Sequence, residues 1–281
     1  MIIKPLPPVL LLRRLVRSIE ENGLRGAVSH SAGRLGRSLK TNGIGGTFSR
    51  AFLKAPKVAV PEAPLPIHPF DLQYGTDTSG YVSGADLTTV SLSGVYATAY
   101  YGIAPSTLSQ ALQLVPAEVD GFRFPEQFTF VDLGSGKGRA LLLASRLAFP
   151  AILGVEIAPE LCRFALMNAA VFPGVNGRIE LRNQDATAVN YPAGPLLIFL
   201  FHPFLLPVLR RVLTHLELQL KHNPRPCFLL YAFDPEPSSV LQSSTCFEQV
   251  WDLPVQLSPE DFAVDRFHDH HQRFTLYKSI I

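Results

Sequence analysis

The hydrophobic rhythm of the chain changes twice. Near its start, VLLLRRLVRSIEENGL sets Leu12, Leu15, Val16 and Ile19 at helical spacing with Arg13, Arg14 and Arg17 on other faces, which predicts an amphipathic helix. Glycines and serines from Gly23 to Thr47 then dilute the pattern, and the prolines of VPEAPLPIHPF (Val60–Phe70) predict a stiff linker that cannot be helix interior. A boundary near Pro66 follows, with a basic helical arm and linker over 1–66 and the main domain over 67–281.

The first part of that domain, DLQYGTDTSGYVSGADL (Asp71–Leu87), is polar and turn-rich. It leads into YYGIAPSTLSQALQLV (Tyr100–Val115), where Pro105 or Ser106 starts a helix carrying Leu108, Ala111, Leu112 and Val115. A long stretch of this kind ahead of a core is a candidate lid. From Gln127 onward short apolar runs alternate with helical stretches. Strands are predicted at Phe128–Leu133, Ala151–Glu156, Arg178–Arg182, Leu196–Phe201 and Cys227–Phe233, and helices near Gly138–Leu147, Pro159–Val171 and Phe204–Leu220. Such alternation gives a parallel sheet covered on both faces. Two further runs, Phe247–Trp251 and Arg273–Lys278, show no helical pattern between them and are expected to form an antiparallel edge pair.

Composition adds limits to this picture. With 281 residues, 47% of them hydrophobic and only 17% charged, the chain can bury one large core. No apolar run approaches the roughly 18 residues needed to span a bilayer, so a soluble protein is expected. Cys162, Cys227 and Cys246 are odd in number and form no metal-ligand spacing; they read as core thiols in a reducing, cytoplasmic setting. The net charge of +2 hides an asymmetry: residues 1–60 hold eleven Lys/Arg against two Glu, +9, leaving 14 basic and 21 acidic residues, −7, for the remainder. An anionic surface, lipid or nucleic acid, is therefore a candidate partner for the arm, beside the plainer reading of a solvated basic face. Glu20 and Glu21 count against an organellar presequence.

The chemistry is concentrated in FVDLGSGKGRA (Phe130–Ala140). A P-loop needs a glycine five positions before Gly136 and a hydroxyl after Lys137; Val131 and Gly138 stand there instead. A dinucleotide fingerprint needs its third glycine where Arg139 stands. What remains is Asp-Leu-Gly-Ser-Gly-Lys-Gly at a strand end, opening a helix. This stretch resembles the first motif of the class I S-adenosylmethionine-dependent methyltransferases, and together with YGTDTSG it is similar to a group of bacterial methyltransferase-like proteins.

The resemblance implies a Rossmann-like, doubly wound α/β fold: seven strands, mostly parallel, the last antiparallel, here with an N-terminal helical extension. It implies S-adenosylmethionine as cofactor, cradled by Gly134, Ser135, Gly136 and Gly138, with Asp132 near its ammonium group. Glu156, at the end of the next strand in GVEIAPEL and followed by Ile157, is expected to accept hydrogen bonds from the ribose hydroxyls. Asp185 in RNQDATAV is expected to meet the adenine amino group, with the Ala186 N–H on a ring nitrogen. YGIAPST is similar to a family element that closes over the methionine end, which nominates Tyr101, Ser106 and Thr107; Tyr74, Thr76 and Thr78 are alternatives for that lid.

The acceptor is expected beside the end of the fourth strand, in FLFHPFLLP (Phe199–Pro207). His202, Pro203 and Phe204 stand where amine-methylating relatives carry Asn/Asp-Pro-Pro-Tyr/Phe, keeping the proline and aromatic but replacing the amide by imidazole. His202 thus reads either as a general base for a hydroxyl or carboxylic acceptor or as a histidine satisfied by backbone. Transfer from a sulfonium is an in-line displacement that requires no metal, and His268, Asp269, His270 and His271 in FHDHHQR read as a polar turn. Two function classes follow: a methyltransferase acting on an unidentified N or O acceptor, or a module that retains the cofactor pocket and serves as a scaffold through its basic arm.

Overall fold

The computed structural model describes residues 66–89, 91–232, 240–241, 243–265 and 270–281. The predicted N-terminal helix, His268 and Asp269 lie outside the described residues.

Seven strands form the central sheet: β1 (Thr129–Leu133), β2 (Ala151–Glu156), β3 (Ile179–Asn183), β4 (Leu196–Phe201), β5 (Cys227–Ala232), β6 (Phe247–Gln256) and β7 (His271–Ser279). Their spatial order is β6-β7-β5-β4-β1-β2-β3. Neighbours from β3 through to β5 run parallel, whereas β7 is antiparallel to both β5 and β6. The sheet is Rossmann-like and doubly wound, mostly parallel, with its last strand reversed. The expected antiparallel edge pair forms: β6 is the edge, and β7 is inserted between it and β5.

Every residue of β1 is buried, as a parallel strand covered on both faces requires. Alternate side chains serve two cores. Phe130, Ile152, Leu197 and Phe199 pack with Leu108 and Leu112 of helix α2 (Pro105–Gln113) and with Leu141–Leu143 of α3 (Arg139–Ala144). Val131, Leu153, Leu196 and Ile198 pack against α5 (Leu206–His222) through Val208, Leu209, Val212, Leu213 and Leu216. The period of two in the strands and the helical spacing in α5 thus meet on one apolar surface. Between β2 and β3 runs α4 (Pro159–Val171), with Pro159 in its first turn, where its missing N–H costs nothing.

Two helices depart from the sequence-based expectation. The polar stretch at Asp71 is entered by α1 (Pro69–Tyr74), which His68 caps by accepting from the Phe70 N–H, so the proline linker ends in a helix start. Between β6 and β7, α6 (Pro259–Val264) begins at Ser258, whose hydroxyl accepts from the Asp261 N–H. Ser-Pro-Glu-Asp is itself a capping sequence, too short to show apolar periodicity. Among the described residues no helix is long and apolar enough to cross a membrane. Cys162, Cys227 and Cys246 are buried free thiols.

Candidate cofactor-binding site

β1 and β4 are adjacent at the point where the strand order reverses, so the loops leaving their carboxyl ends face one crevice. A pocket fills that crevice. Asp132, Gly134, Ser135 and Gly136 line it from the β1 side, Glu156 and Ile157 from β2, and Asp185 and Ala186 from the loop after β3.

The glycine loop has the backbone that its residues allow. Gly134, Gly136 and Gly138 take φ of 84°, 54° and 87°, the left-handed region that side chains disfavour. Gly138 caps α3, and a Cβ on Gly136 would stand 2.4 Å from the Tyr100 ring. The loop is held by Glu156: its Oε2 accepts from the Gly136 N–H at 2.7 Å and its Oε1 from the Ala158 N–H at 2.8 Å. The Ile157 N–H also acts on this carboxylate, and with about four acceptor sites in all it still has room for a hydroxyl donor in the pocket.

The electrostatics are those of an acidic cavity. Desolvation, then the nearby Glu156 charge, hold the buried Asp132 carboxyl well above its ordinary range. Burial also raises Glu156, against the backbone N–H groups that lower it. The buried Ser135 hydroxyl has no hydrogen-bond partner within the protein. Burial works to raise Asp185 too, but its hydrogen bonds win and leave it lowered. Its Oδ1 accepts from the N–H and hydroxyl of Thr187, and its Oδ2 from Ser91 at 2.5 Å, so it closes a short 3-10 turn and ties down the segment above the pocket.

That segment is the roof. A 3-10 turn at Leu92–Tyr96 runs into Ala97–Ile103, which lines the pocket throughout. It docks on the turn after β4: Ala97 bridges Phe204, the Thr98 N–H donates to the Pro203 carbonyl at 3.1 Å, and the Thr98 hydroxyl donates to the His202 carbonyl. Nothing in the sequence marked Thr98 or Ser91 for this task, because their partners lie about a hundred residues downstream.

The other candidates separate by position. Pro203 and Phe204 line the pocket; His202 does not. Its φ of 41° turns the residue, and its Nδ1 lies 3.0 Å from the Tyr231 hydroxyl on β5. Tyr101 lines the pocket and donates to Asp265 at 3.1 Å. Thr107 is fully buried, with its hydroxyl between the Ala104 carbonyl and Gln272, and Thr78 is equally buried against Asp71; neither lines the pocket. Thr76 likewise donates to Asp71, Tyr74 packs on Phe70 and Phe172, and Ser106 accepts from the Ser258 N–H. These five positions build the walls behind the roof. His270 stacks on Phe262, and among the described residues no group of three or more His, Cys, Asp or Glu is placed to hold a metal.

The strand order, mostly parallel with the last strand reversed, is the one the sequence reading leads one to expect. No family model and no curated protein matches the chain. Among solved structures it is similar to a magnesium protoporphyrin IX methyltransferase from Synechocystis PCC 6803 with bound SAM, at 14% identity and a TM-score of 0.45 over 62% of this chain and 78% of that one. It is also similar to a ribosomal protein L11 methylase from Lactobacillus delbrueckii subsp. bulgaricus, at 14% identity and a TM-score of 0.41 over 60% of this chain and 76% of that one.

Proposed function

We propose that the protein is an S-adenosylmethionine-dependent methyltransferase acting on an N or O nucleophile presented at Pro203 and Phe204. The observation that carries this reading is the pair of buried acids, Asp132 and Glu156, raised by desolvation at the mouth of a glycine loop. A pyrophosphate would meet two carboxylates there. Arg139 is the one cation lining the pocket among the described residues, and its guanidinium is engaged by Thr78, Gly102 and Ile103. A cofactor carrying a sulfonium and an ammonium, with a ribose diol to donate to Glu156, suits this charge and this acceptor set. The unpartnered Ser135 hydroxyl supplies a further polar contact.

When bound, the cofactor supplies an electrophilic methyl group; the chain's own part is to bind, orient and exclude water. The aromatic and proline side chains at Phe199, Phe201, Pro203 and Phe204 give the pocket an apolar end where an acceptor would be desolvated. Thr98 already donates once to each of the carbonyls of His202 and Pro203, so an amine acceptor would share them through the second lone pair of each. An oxygen acceptor does not depend on those carbonyls.

Calorimetric titration with S-adenosylmethionine, S-adenosylhomocysteine and NAD tests the reading. Binding of both sulfur nucleotides, with NAD silent, is the expected result. A response to NAD alone would replace the methyltransferase with a dehydrogenase, and binding without transfer to any N or O acceptor would leave a scaffold.

A further inference from the structure

Arg139 occupies the place where a dinucleotide loop would carry its third glycine, and its side chain does something a glycine cannot. It is the first residue of α3, only 5% exposed. Its Nε donates to the Thr78 hydroxyl at 2.7 Å, one terminal nitrogen donates to the carbonyls of Gly102 and Ile103, each at 3.2 Å, and the other reaches Ser79 Oγ at 3.4 Å and Asp71 Oδ2 at 3.6 Å. Gly102 and Ile103 are roof residues of the pocket. A Cβ on Gly102 would lie 2.7 Å from the guanidinium carbon, so the roof is shaped to receive this side chain.

The neighbouring loop cation works the same way. Lys137 donates to Asp77 at 2.7 Å and to the Ser79 carbonyl at 2.8 Å. Tyr100, whose ring lies against Gly136, donates its hydroxyl to the Thr78 carbonyl at 2.6 Å. The stretch Asp77–Ser79 and the roof are thus bound to the glycine loop at several points: Lys137 also lies 5.8 Å over the Tyr100 ring, and Arg139 hydrogen-bonds to both. The roof's own pairing is slight, a two-residue match of Tyr81–Val82 with Tyr100–Tyr101.

We propose that Arg139 is a positioning residue that pins the pocket's roof to the glycine loop, so that the segment covering the cofactor opens only when the guanidinium fork lets go. The proposal rests on the methyltransferase reading for the identity of the ligand, but not for the pinning itself. Lysine keeps the charge and cannot make the fork. An Arg139→Lys protein is therefore the informative variant, with Gly102→Ala as a second that leaves Arg139 in place and pushes the roof off it.

Two measurements decide it. In the protein without ligand, hydrogen exchange of the Tyr100–Ile103 amides should accelerate about tenfold or more in both variants, the loss of a charge-assisted hydrogen bond, while β4 amides stay within about twofold. With S-adenosylhomocysteine, dissociation should speed up about tenfold while association changes by less than about threefold. Equal acceleration across β4 would reduce Arg139 to general stability and overturn the proposal, as would unchanged exchange at the roof. Failure of the wild-type protein to bind S-adenosylhomocysteine would overturn the cofactor reading, and the exchange comparison would still decide the pinning.

Discussion

A Cβ built on Gly134 would lie 2.3 Å from the Cβ of Pro203. The loop after β1 and the turn after β4 therefore touch at a point where neither can grow, which fixes the distance between the cofactor loop and the proposed acceptor end. Gly134 also sits at φ 84°. Gly134→Ala is expected to cost about 1–2 kcal/mol for the left-handed backbone and about 1–3 kcal/mol for overpacking. Denaturant unfolding reads the first loss, and calorimetry should show S-adenosylhomocysteine binding weakened with it. A variant as stable as the parent would mean that the loop and the turn are not in contact.

Asp132 should be a residue that binding needs and folding does not. Its pKa is raised in the folded chain, so its contribution to stability is fully present below the unfolded value of about 3.9 and is lost as pH rises through the raised value. Near pH 7 the free protein bears this penalty. Asp132→Asn is expected to raise stability there by on the order of 1–3 kcal/mol, about 2–4 °C of melting temperature for each, and to weaken S-adenosylmethionine more than tenfold. The stability advantage should shrink as the pH is lowered toward 4. Melting curves across that range check the sign, and a destabilised variant would show that the carboxylate is already compensated.

Glu156 carries two tasks at once, and Glu156→Gln separates them. The glutamine oxygen can still accept one of the Gly136 and Ala158 N–H bonds, but its amide nitrogen cannot accept the other. Losing a charge-assisted acceptor is worth about 1.5–3 kcal/mol, tenfold or more in Kd for the cofactor. Isothermal titration of the variant measures this; an unchanged Kd would remove Glu156 from the site.

The legible parts of this molecule were those governed by short-range rules. Ala151–Glu156 and Leu196–Phe201 are bounded apolar runs, and Pro159–Val171 has a proline in its first turn; all three fall where the sequence places them. Glu156 and the glycine loop were legible too, because the carboxyl ends of adjacent parallel strands face one crevice whatever the rest of the fold does. What escaped depended on distant partners. The direction of the His202 imidazole is set by a left-handed backbone and by Tyr231, 29 residues away, and the packing of Thr78 and Thr107 by Asp71 and Gln272. In the sequence Arg139 reads only as a missing glycine, since its partners between Asp71 and Ile103 show no pattern.

For His202, the side-chain direction makes a sharp expectation. Alanine keeps the unfavourable left-handed backbone and takes away the partner of the buried Tyr231 hydroxyl, for about 1–3 kcal/mol of stability. The imidazole does not line the pocket, so S-adenosylhomocysteine affinity should hold within about threefold, under 1 kcal/mol. Calorimetry and unfolding of His202→Ala give both numbers. A tenfold loss of affinity at unchanged stability would return the imidazole to the site.

Asp71 should make the wall behind the roof sensitive to acid. Burial acts to raise its pKa, but hydrogen bonds from Ser79, Thr76 and Thr78 and the charge of Arg139 outweigh it and leave the carboxyl lowered. A lowered folded pKa means that its stabilisation is present above the unfolded value of about 3.9 and is lost as pH falls through the folded one. Protonation there removes acceptors from three hydroxyls and the counter-charge from a buried arginine. Asp71→Asn imitates that state at neutral pH, and breaking a buried pair from one side costs about 3–5 kcal/mol. The wild-type chain should lose stability below about pH 4 more steeply than Asp71→Asn, because the variant has already lost this contribution and keeps no titrating group at the position. Urea unfolding of the two proteins from pH 7 to pH 3 makes the comparison, and parallel acid curves would show that the Asp71 carboxylate does not hold the wall.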